Sequence, residues 1–350
     1  MPNTDRRLTV IVSNAADGTL ATYSLDADGQ LAPLGPHPAG DAVMPLARPA
    51  DGTRLYAATR GARPAIVAFD IAPRTGALAR VASAAIDASL AYLTLDGSGR
   101  WLLGASYGGH SLSVYDAARV RAGDGLPLQV IGGIPNAHAV IVSPDDRYAY
   151  VSSLGSDRIF CFELVHDMRG IRAVEHGEAR VERGFGPRHL RLTRDGRTLV
   201  AVGEFEARLA VFARDPDSGR LGDARTTPRP AALATLAAGH ARPPAPAEPA
   251  VWAADLQLTP DERFAYVSER TTSQLVCYRR HADGTFAAVH ATATEAQPRG
   301  FAIDPSGRFL VACGEQSETV SVYAIAPGDG ALTPRARVSG GRGANWIEIV

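Results

Sequence analysis

One segment returns six times along this chain, and that recurrence constrains its fold more than any other feature. The copies are MPLARPADGTRLYAATR from Met44, AYLTLDGSGRWLLGASY from Ala91, AHAVIVSPDDRYAYVSSL from Ala137, RHLRLTRDGRTLVAVGE from Arg188, ADLQLTPDERFAYVSER from Ala254 and RGFAIDPSGRFLVACGE from Arg299. Each runs from an alternating apolar stretch through a polar turn, with Asp, Gly or Ser ahead of an arginine, into a second apolar stretch. The turn arginines Arg54, Arg100, Arg147, Arg197, Arg263 and Arg308 are spaced by 46, 47, 50, 66 and 45 residues. Alternation of period two inside a repeat near 47 residues long describes a recurring β unit.

Within a unit a third strand follows, as in IVAFDI, LSVYDA, IFCFEL, LAVFAR, LVCYRR and VSVYAI, and a turn such as DPDSGRL or PGDGAL leads to a weaker fourth. Four strands per repeat of this length define a propeller blade. Six units cover residues 44 to 340. The N-terminal LTVIVSN, TLATYSL and QLAPLG supply three strands of a seventh unit, and the C-terminal ANWIEIV supplies its missing first strand. Closing the ring with strands from both termini removes the last open sheet edge. The expected fold is therefore all-β, a seven-bladed propeller of four-stranded antiparallel blades. A chain of 350 residues would ordinarily suggest two or three domains, but here residues 1–350 are expected to form one. The 66-residue step holds a Pro- and Ala-rich insertion, residues 226–250, read as a surface loop.

In an antiparallel meander the start of the innermost strand and the end of the second lie at the same end of the blade. Inner-strand starts offer Met44, Tyr92, His138, Arg188 with His189, Asp255 and Arg299. Second-strand ends offer Arg60, Tyr107, Asp157, Glu204, Arg270 and Gln316. One mouth of the channel thus gathers the ionisable residues, and the other is expected to carry ordinary turn residues. A charge in a narrow channel costs several kcal/mol unless paired, so arginines, a histidine and carboxylates on one rim point to an anion-binding pocket. Pro187 and Pro298, directly ahead of two of the arginines, restrict the backbone there.

Other chemistries are disfavoured. A formal charge of −1 implies no attraction to nucleic acid or anionic membrane. The basic residues are all Arg, which excludes a Schiff-base lysine and the P-loop lysine. Cys161, Cys277 and Cys313 sit far apart in apolar runs, without the spacing of a zinc site or redox pair. They read as core residues in a reducing compartment, and with no signal-peptide core or membrane-length apolar segment the expected location is the cytoplasm. Gly104-Ala105-Ser106-Tyr107-Gly108 matches a nucleophile-elbow string, but it ends a blade strand and precedes another strand where that motif needs a helix. The DADG and DPDSG strings lack the glutamate of a calcium loop. Neither a metal nor a cofactor is expected, and the residues leave the oligomeric state open.

GPRHL (186–190), WAADLQLTPDERFAY (252–266), TEAQPRGFAIDPSGRFLVACGEQS (294–317) and SVYAI (321–325) give the chain its resemblance to the lactonase family of seven-bladed propellers. That resemblance implies hydrolysis of a sugar-acid lactone, 6-phosphogluconolactone above all. Alternatives within the family are an unphosphorylated lactone or a muconate-type lactonizing cycloisomerisation; a propeller interaction scaffold is the non-enzymatic alternative. Family members place a histidine, arginines and a glutamate in the channel mouth, which match His138, Arg188, Glu204, and Arg270 or Arg299. The implied mechanism has Glu204 or His138 as general base on water and Arg188 as donor to the oxyanion. Arg270 and Arg299 would hold the substrate's anionic group, with Tyr107, His189, Asp255 and Gln316 as further binding residues.

Overall fold

The computed structural model describes residues 7–72, 75–167, 170–241 and 248–350. These residues form seven four-stranded sheets, each an antiparallel meander. Blade 1 takes its inner strand, Ala344–Ile349, from the C-terminal end of the chain and the next three, Leu8–Asn14, Thr19–Leu25 and Leu31–Pro38, from the N-terminal end. Blades 2 to 7 follow in chain order, with inner strands Leu46–Ala47, Tyr92–Leu95, Ala137–Val142, Pro187–Leu192, Ala253–Leu258 and Pro298–Ile303. The five-residue helix Ala117–Arg121, capped by the Asp116 carboxylate, interrupts the β pattern in blade 3.

The repeated turn has a physical basis. Asp145, Asp195 and Asp261 each accept a hydrogen bond from the backbone N–H two residues on, at 3.2, 2.9 and 3.2 Å. Each also accepts from the hydroxyl two residues before it, Ser143, Thr193 or Thr259, at 2.5 to 2.6 Å. These Asx turns offer the backbone a closed hairpin at low entropic cost. The turn arginine then lies over the ring that opens the second strand, as in Arg100 over Trp101 at 4.3 Å and Arg308 over Phe309 at 4.9 Å. Neighbouring blades are latched by tyrosine hydroxyls. Tyr150 of blade 4 donates to the Gly219 carbonyl of blade 5 at 2.7 Å, and Tyr266 of blade 6 to that of Gly330 in blade 7 at 2.6 Å.

The inner strands depart from regular pairing in a way that builds the channel. In blades 4, 5, 6, 7 and 1 the register slips by one residue at the strand start, so that His138, Arg188–His189, Ala254–Asp255, Arg299–Gly300 and Asn345 occupy bulges. A bulge re-aims side chains that regular alternation would send into a blade interface. Serines in second strands satisfy the freed backbone groups: Ala139 N–H donates to Ser152 Oγ at 3.0 Å and Asp255 N–H to Ser268 Oγ at 2.9 Å. The same hydroxyls donate onward to the carbonyls of Arg188 (2.5 Å) and Arg299 (3.3 Å), residues of the next blade. Gly300 is required by this crowding, because a Cβ there would stand 2.5 Å from the Asn345 carbonyl oxygen.

The insertion after blade 5 is not wholly a surface excursion. Thr226 still belongs to that blade's outermost strand, Arg225–Thr226, and Leu233 is fully buried in the core between blades 5 and 6. Ala237 forms a parallel bridge with Ala250, and residues 242–247 of the insertion lie outside the described residues.

Ring closure rests on Val10, Ile11, Val12 and Ser13 pairing with Ile349, Glu348, Ile347 and Trp346, extended by reciprocal bonds between Thr9 and Val350 at 2.9 and 2.8 Å. Ile347 and Ile349 are buried, each contributing about 1.5–3 kcal/mol of apolar burial. Deleting residues 343–350 removes that burial and exposes the edge of the Leu8–Asn14 strand. Solubility and the cooperative melting transition should both be lost; a truncated chain melting at the parent temperature would contradict closure by this strand.

Candidate active site at one mouth of the channel

His138 and Arg188 reach the channel through the bulges of blades 4 and 5. Glu204 and Arg270 lie immediately after the second strands of blades 5 and 6, and Tyr107 and Arg60 take the same position in blades 3 and 2. Together with Arg299, Ala91, Leu154, Phe205, Trp252, His240 and Ala241 they line a cavity of about 260 Å³.

Two arginines hold the Glu204 carboxylate. Arg270 Nη2 donates to Oε1, and Arg188 Nε lies 3.3 Å from Oε2. Arg270 is itself braced by the Trp252 carbonyl at 3.0 Å, and Arg188 donates to the Ala254 carbonyl. Burial alone would raise the Glu204 carboxyl, but Arg270 and Arg188 keep it below its usual value. Arg188 is 1% exposed, and desolvation lowers its pKa to about 9 against the raising effect of Glu204. Arg299 pairs with Glu315 at 3.0 Å, while desolvation and then Arg299 lower Arg60 to about 10.

Burial, then Arg188, pushes the His138 imidazole well below its ordinary value, so the ring is neutral near pH 7. Its Nδ1 is buried without a hydrogen-bond partner among the described residues. The ring lies between Tyr107, with centroids 6.0 Å apart, and His189, 5.4 Å away.

The structure divides the residues expected at the mouth. His138, Arg188, Glu204, Tyr107, Arg270 and Arg299 come together on the cavity wall. His189 and Asp255 lie one residue deeper in their bulges and plug the channel interior. His189 Nδ1 donates to Asp255 Oδ1 at 2.7 Å, and the ring packs on Tyr92 and Trp346 at 5.2 and 5.6 Å. Burial lowers His189 to about 4 against the pull of Asp255. Gln316 is exposed and does not line the cavity. The residue equivalent to Glu204 and Arg270, directly after its second strand, is Glu315; Gln316 is the next residue of the turn that follows Gly314, and it faces outward. Asp157 is likewise diverted: its carboxylate accepts from Gly184 and Gly186 N–H, each at 2.8 Å, and shapes the approach to Arg188. Ser106 is buried and spends its hydroxyl on the Ser89 carbonyl, as expected for a blade strand.

Repeat alignment did not single out Leu154, Phe205, Trp252, His240 or Ala241. Phe205 and Trp252 stand directly beside aligned positions, whereas His240 and Ala241 come from the insertion, which has no counterpart in other blades. The expectation of ordinary turn residues at the opposite mouth also fails. A second cavity of about 420 Å³ lies there, with Arg48, Arg191, Gln257 and Glu348 in its wall. These arise because the inner strands run the full length of the channel, so their later residues reach its far end. Among the described residues no group of three or more His, Cys, Asp and Glu side chains is arranged to hold a metal ion, and no helix is long and apolar enough to cross a membrane.

One mouth of the propeller thus gathers four arginines around a buried, neutral histidine. The chain belongs to the lactonase family of seven-bladed β-propellers, which it matches over residues 9–349, and it is an enzyme of the carboxylic ester hydrolase class. The 6-phosphogluconolactonase of Cronobacter sakazakii (strain ATCC BAA-894) is 31% identical over 347 residues, covering 97% of this chain and 98% of that protein. Two solved structures share the fold. The periplasmic gluconolactonase of Pseudomonas aeruginosa has a TM-score of 0.82 at 24% identity and covers 99% of both chains. A Bacteroides uniformis protein has a TM-score of 0.85 at 22% identity, covering 98% of this chain and 99% of its own.

The two buried neutral histidines make stability depend on pH. Their folded pKa values lie below the ordinary 6.5, so between pH 6.5 and about 4 the unfolded chain binds protons that the folded chain does not. Stability is then present above pH 6.5 and lost as pH falls through this window. The melting temperature should drop as pH falls from 6.5 to about 5.5, above the range where ordinary carboxylates titrate, and the drop should be shallower in His189→Gln. An unchanged slope in that variant would contradict the assignment.

Proposed function

We propose that this enzyme opens a sugar-acid lactone in the arginine-lined mouth, and that its substrate is 6-phosphogluconolactone, converted to 6-phosphogluconate. The observation that carries this reading is the imbalance of charge at the mouth: Arg60, Arg188, Arg270 and Arg299 line the cavity around a neutral His138, against two carboxylates, Glu204 on the wall and Glu315 paired with Arg299. Such a mouth has cationic capacity left for an anionic substrate, and the sequence relationship to a 6-phosphogluconolactonase supports the same choice.

His138 is the better candidate for general base. Both Glu204 oxygens are engaged by arginines and its carboxyl is held below its usual pKa, so Glu204 fixes Arg188 and Arg270 instead of taking a proton. His138 removes a proton from water as the oxygen attacks the lactone carbonyl. Arg188, fixed by Glu204 and the Ala254 carbonyl, donates to the oxyanion of the tetrahedral intermediate. Collapse breaks the bond to the ring oxygen, which leaves as a hydroxyl after receiving the proton from His138. One water has then been added across the ester, and the new carboxylic acid releases its proton to solvent. Arg60 and Arg299 take the phosphate, Arg299 steadied by Glu315 as Arg270 is by Glu204. The buried, unbridged thiols Cys161, Cys277 and Cys313 support a reducing compartment such as the cytoplasm.

Arg188→Ala should lower kcat by about 10²–10³, the scale of one lost oxyanion donor. Arg299→Ala should mainly raise KM, as for a group that binds ground state and transition state alike. Wild-type kinetics in both variants would remove the site from consideration. Acid release from 6-phosphogluconolactone, corrected for spontaneous hydrolysis, should exceed that from gluconolactone in kcat/KM; equality or reversal would point to an unphosphorylated substrate.

Burial and, after it, the arginine field depress His138 in the free enzyme, and the bound anion offsets the second of these. The acid limb of kcat/KM should therefore lie below pH 6.5, and that of kcat at higher pH, because the two report free and substrate-bound enzyme. Limbs in the reverse order would contradict His138 as the base.

A further inference from the structure

We infer that Phe205 and Trp252, with His240 of the insertion, form the subsite for the C–H face of the substrate ring and restrict the enzyme to single-ring lactones. This rests on the lactonase reading above and specifies which part of the mouth selects the substrate.

The mouth is two-sided. Arg60 and Arg299, from blades 2 and 7, stand on one side of the cavity; Leu154, Phe205 and Trp252, from blades 4 to 6, stand on the other, where Arg188 and Arg270 are already engaged by Glu204. The apolar side is a packed unit of its own. Leu154, Phe205, Ala250 and Trp252 form a cluster separate from the blade cores, with Tyr107 and Ala237 against it. Phe205 and Trp252 meet edge to face at a centroid distance of 6.0 Å, and His240 meets Trp252 in the same manner at 6.0 Å.

Each part of this wall is fixed from behind. The Glu269 carboxylate, fully buried, accepts the Trp252 N–H at 2.9 Å and those of Thr271 and Thr272 at 3.0 and 2.7 Å. The insertion is tied to the rim by Gly239 N–H to the Phe205 carbonyl at 2.8 Å and Val251 N–H to that of Ala237 at 3.0 Å. A Cβ at Gly239 would stand 2.4 Å from the Val251 carbonyl oxygen, so only glycine lets the insertion lie this close. A rigid aromatic surface facing a cationic one suits a ligand with an apolar face and an anionic edge. An aldonolactone ring has that division: C–H bonds on its face, with oxygens and a terminal phosphate at its periphery. At about 260 Å³ the cavity falls below the roughly 300–1,000 Å³ of pockets for drug-sized ligands, and His240 and Ala241 of the insertion complete its wall beside Trp252.

The test compares 6-phosphogluconolactone, gluconolactone and a disaccharide aldonolactone on wild type, Trp252→Leu and His240→Ala, with melting curves to confirm folding. Trp252→Leu should raise KM for both single-ring lactones about tenfold with kcat nearly unchanged, the signature of lost uniform binding. His240→Ala, at the partly exposed rim, should raise kcat/KM for the disaccharide lactone about tenfold relative to the single-ring lactones. A folded Trp252→Leu enzyme with wild-type KM for both single-ring lactones, or a folded His240→Ala enzyme with the three substrates in their wild-type ratio, would overturn the aromatic subsite while leaving the lactonase reading intact. Wild-type enzyme that opens none of the three would overturn both.

Discussion

A side chain on a regular strand points to one face of its sheet or the other, and in a propeller both faces of a blade are covered by its neighbours. Chemistry in the channel therefore depends on breaking that alternation at the inner edge, and the one-residue slip at the inner-strand starts does so in five blades. The slip is held in place by neighbouring hydroxyls. Ser152 and Ser268 each accept the N–H that their own bulge leaves unpaired and donate to the carbonyl of an arginine in the next blade. The position of Arg188 is thus set partly by blade 4, and that of Arg299 partly by blade 6. Blade geometry and site geometry are one problem, since ring closure keeps all seven blades in register around the channel.

Charge then decides what the bulges can expose. Arg188 is almost entirely removed from water, a placement costing several kcal/mol if uncompensated. Glu204 compensates it while also holding Arg270, so a single carboxylate stabilises two cations and leaves the mouth with positive character. The same field, added to burial, keeps His138 unprotonated. The base proposed for the reaction and the acid sensitivity of the fold have a common origin, because a histidine kept neutral in the fold is one the unfolded chain protonates readily.

Behind the mouth the channel is closed by side chains. His189 and Asp255 pair in its interior, and Asp255 also accepts the N–H of Leu256 at 2.7 Å and lies 3.6 Å from Arg191. Arg191 in turn donates to the Tyr92 hydroxyl at 2.9 Å and lines the opposite cavity. This continuous polar plug separates two openings of different character. One is walled by arginines and aromatic rings around a neutral histidine; in the other Arg48 and Glu348 already pair with each other at 3.4 Å.

The number of blades, the strands in each and the closure by both termini were legible in the sequence, because period-two alternation and Asx-turn chemistry are local and recur every 47 residues or so. The presence of His138, Arg188, Glu204, Arg270 and Arg299 at one mouth followed from the same periodicity. What alternation could not reveal was its own interruption. The bulges send His189 and Asp255 into the channel interior, and a one-residue offset separates Glu315 from the outward-facing Gln316. Nor could any repeat register locate His240, since the insertion has no equivalent in another blade and its place is fixed by contacts with Phe205, Val251 and Trp252. Local pattern determined which residues approach the channel; packing between blades decided which of them face a cavity, which face one another, and which pair of arginines the single carboxylate holds.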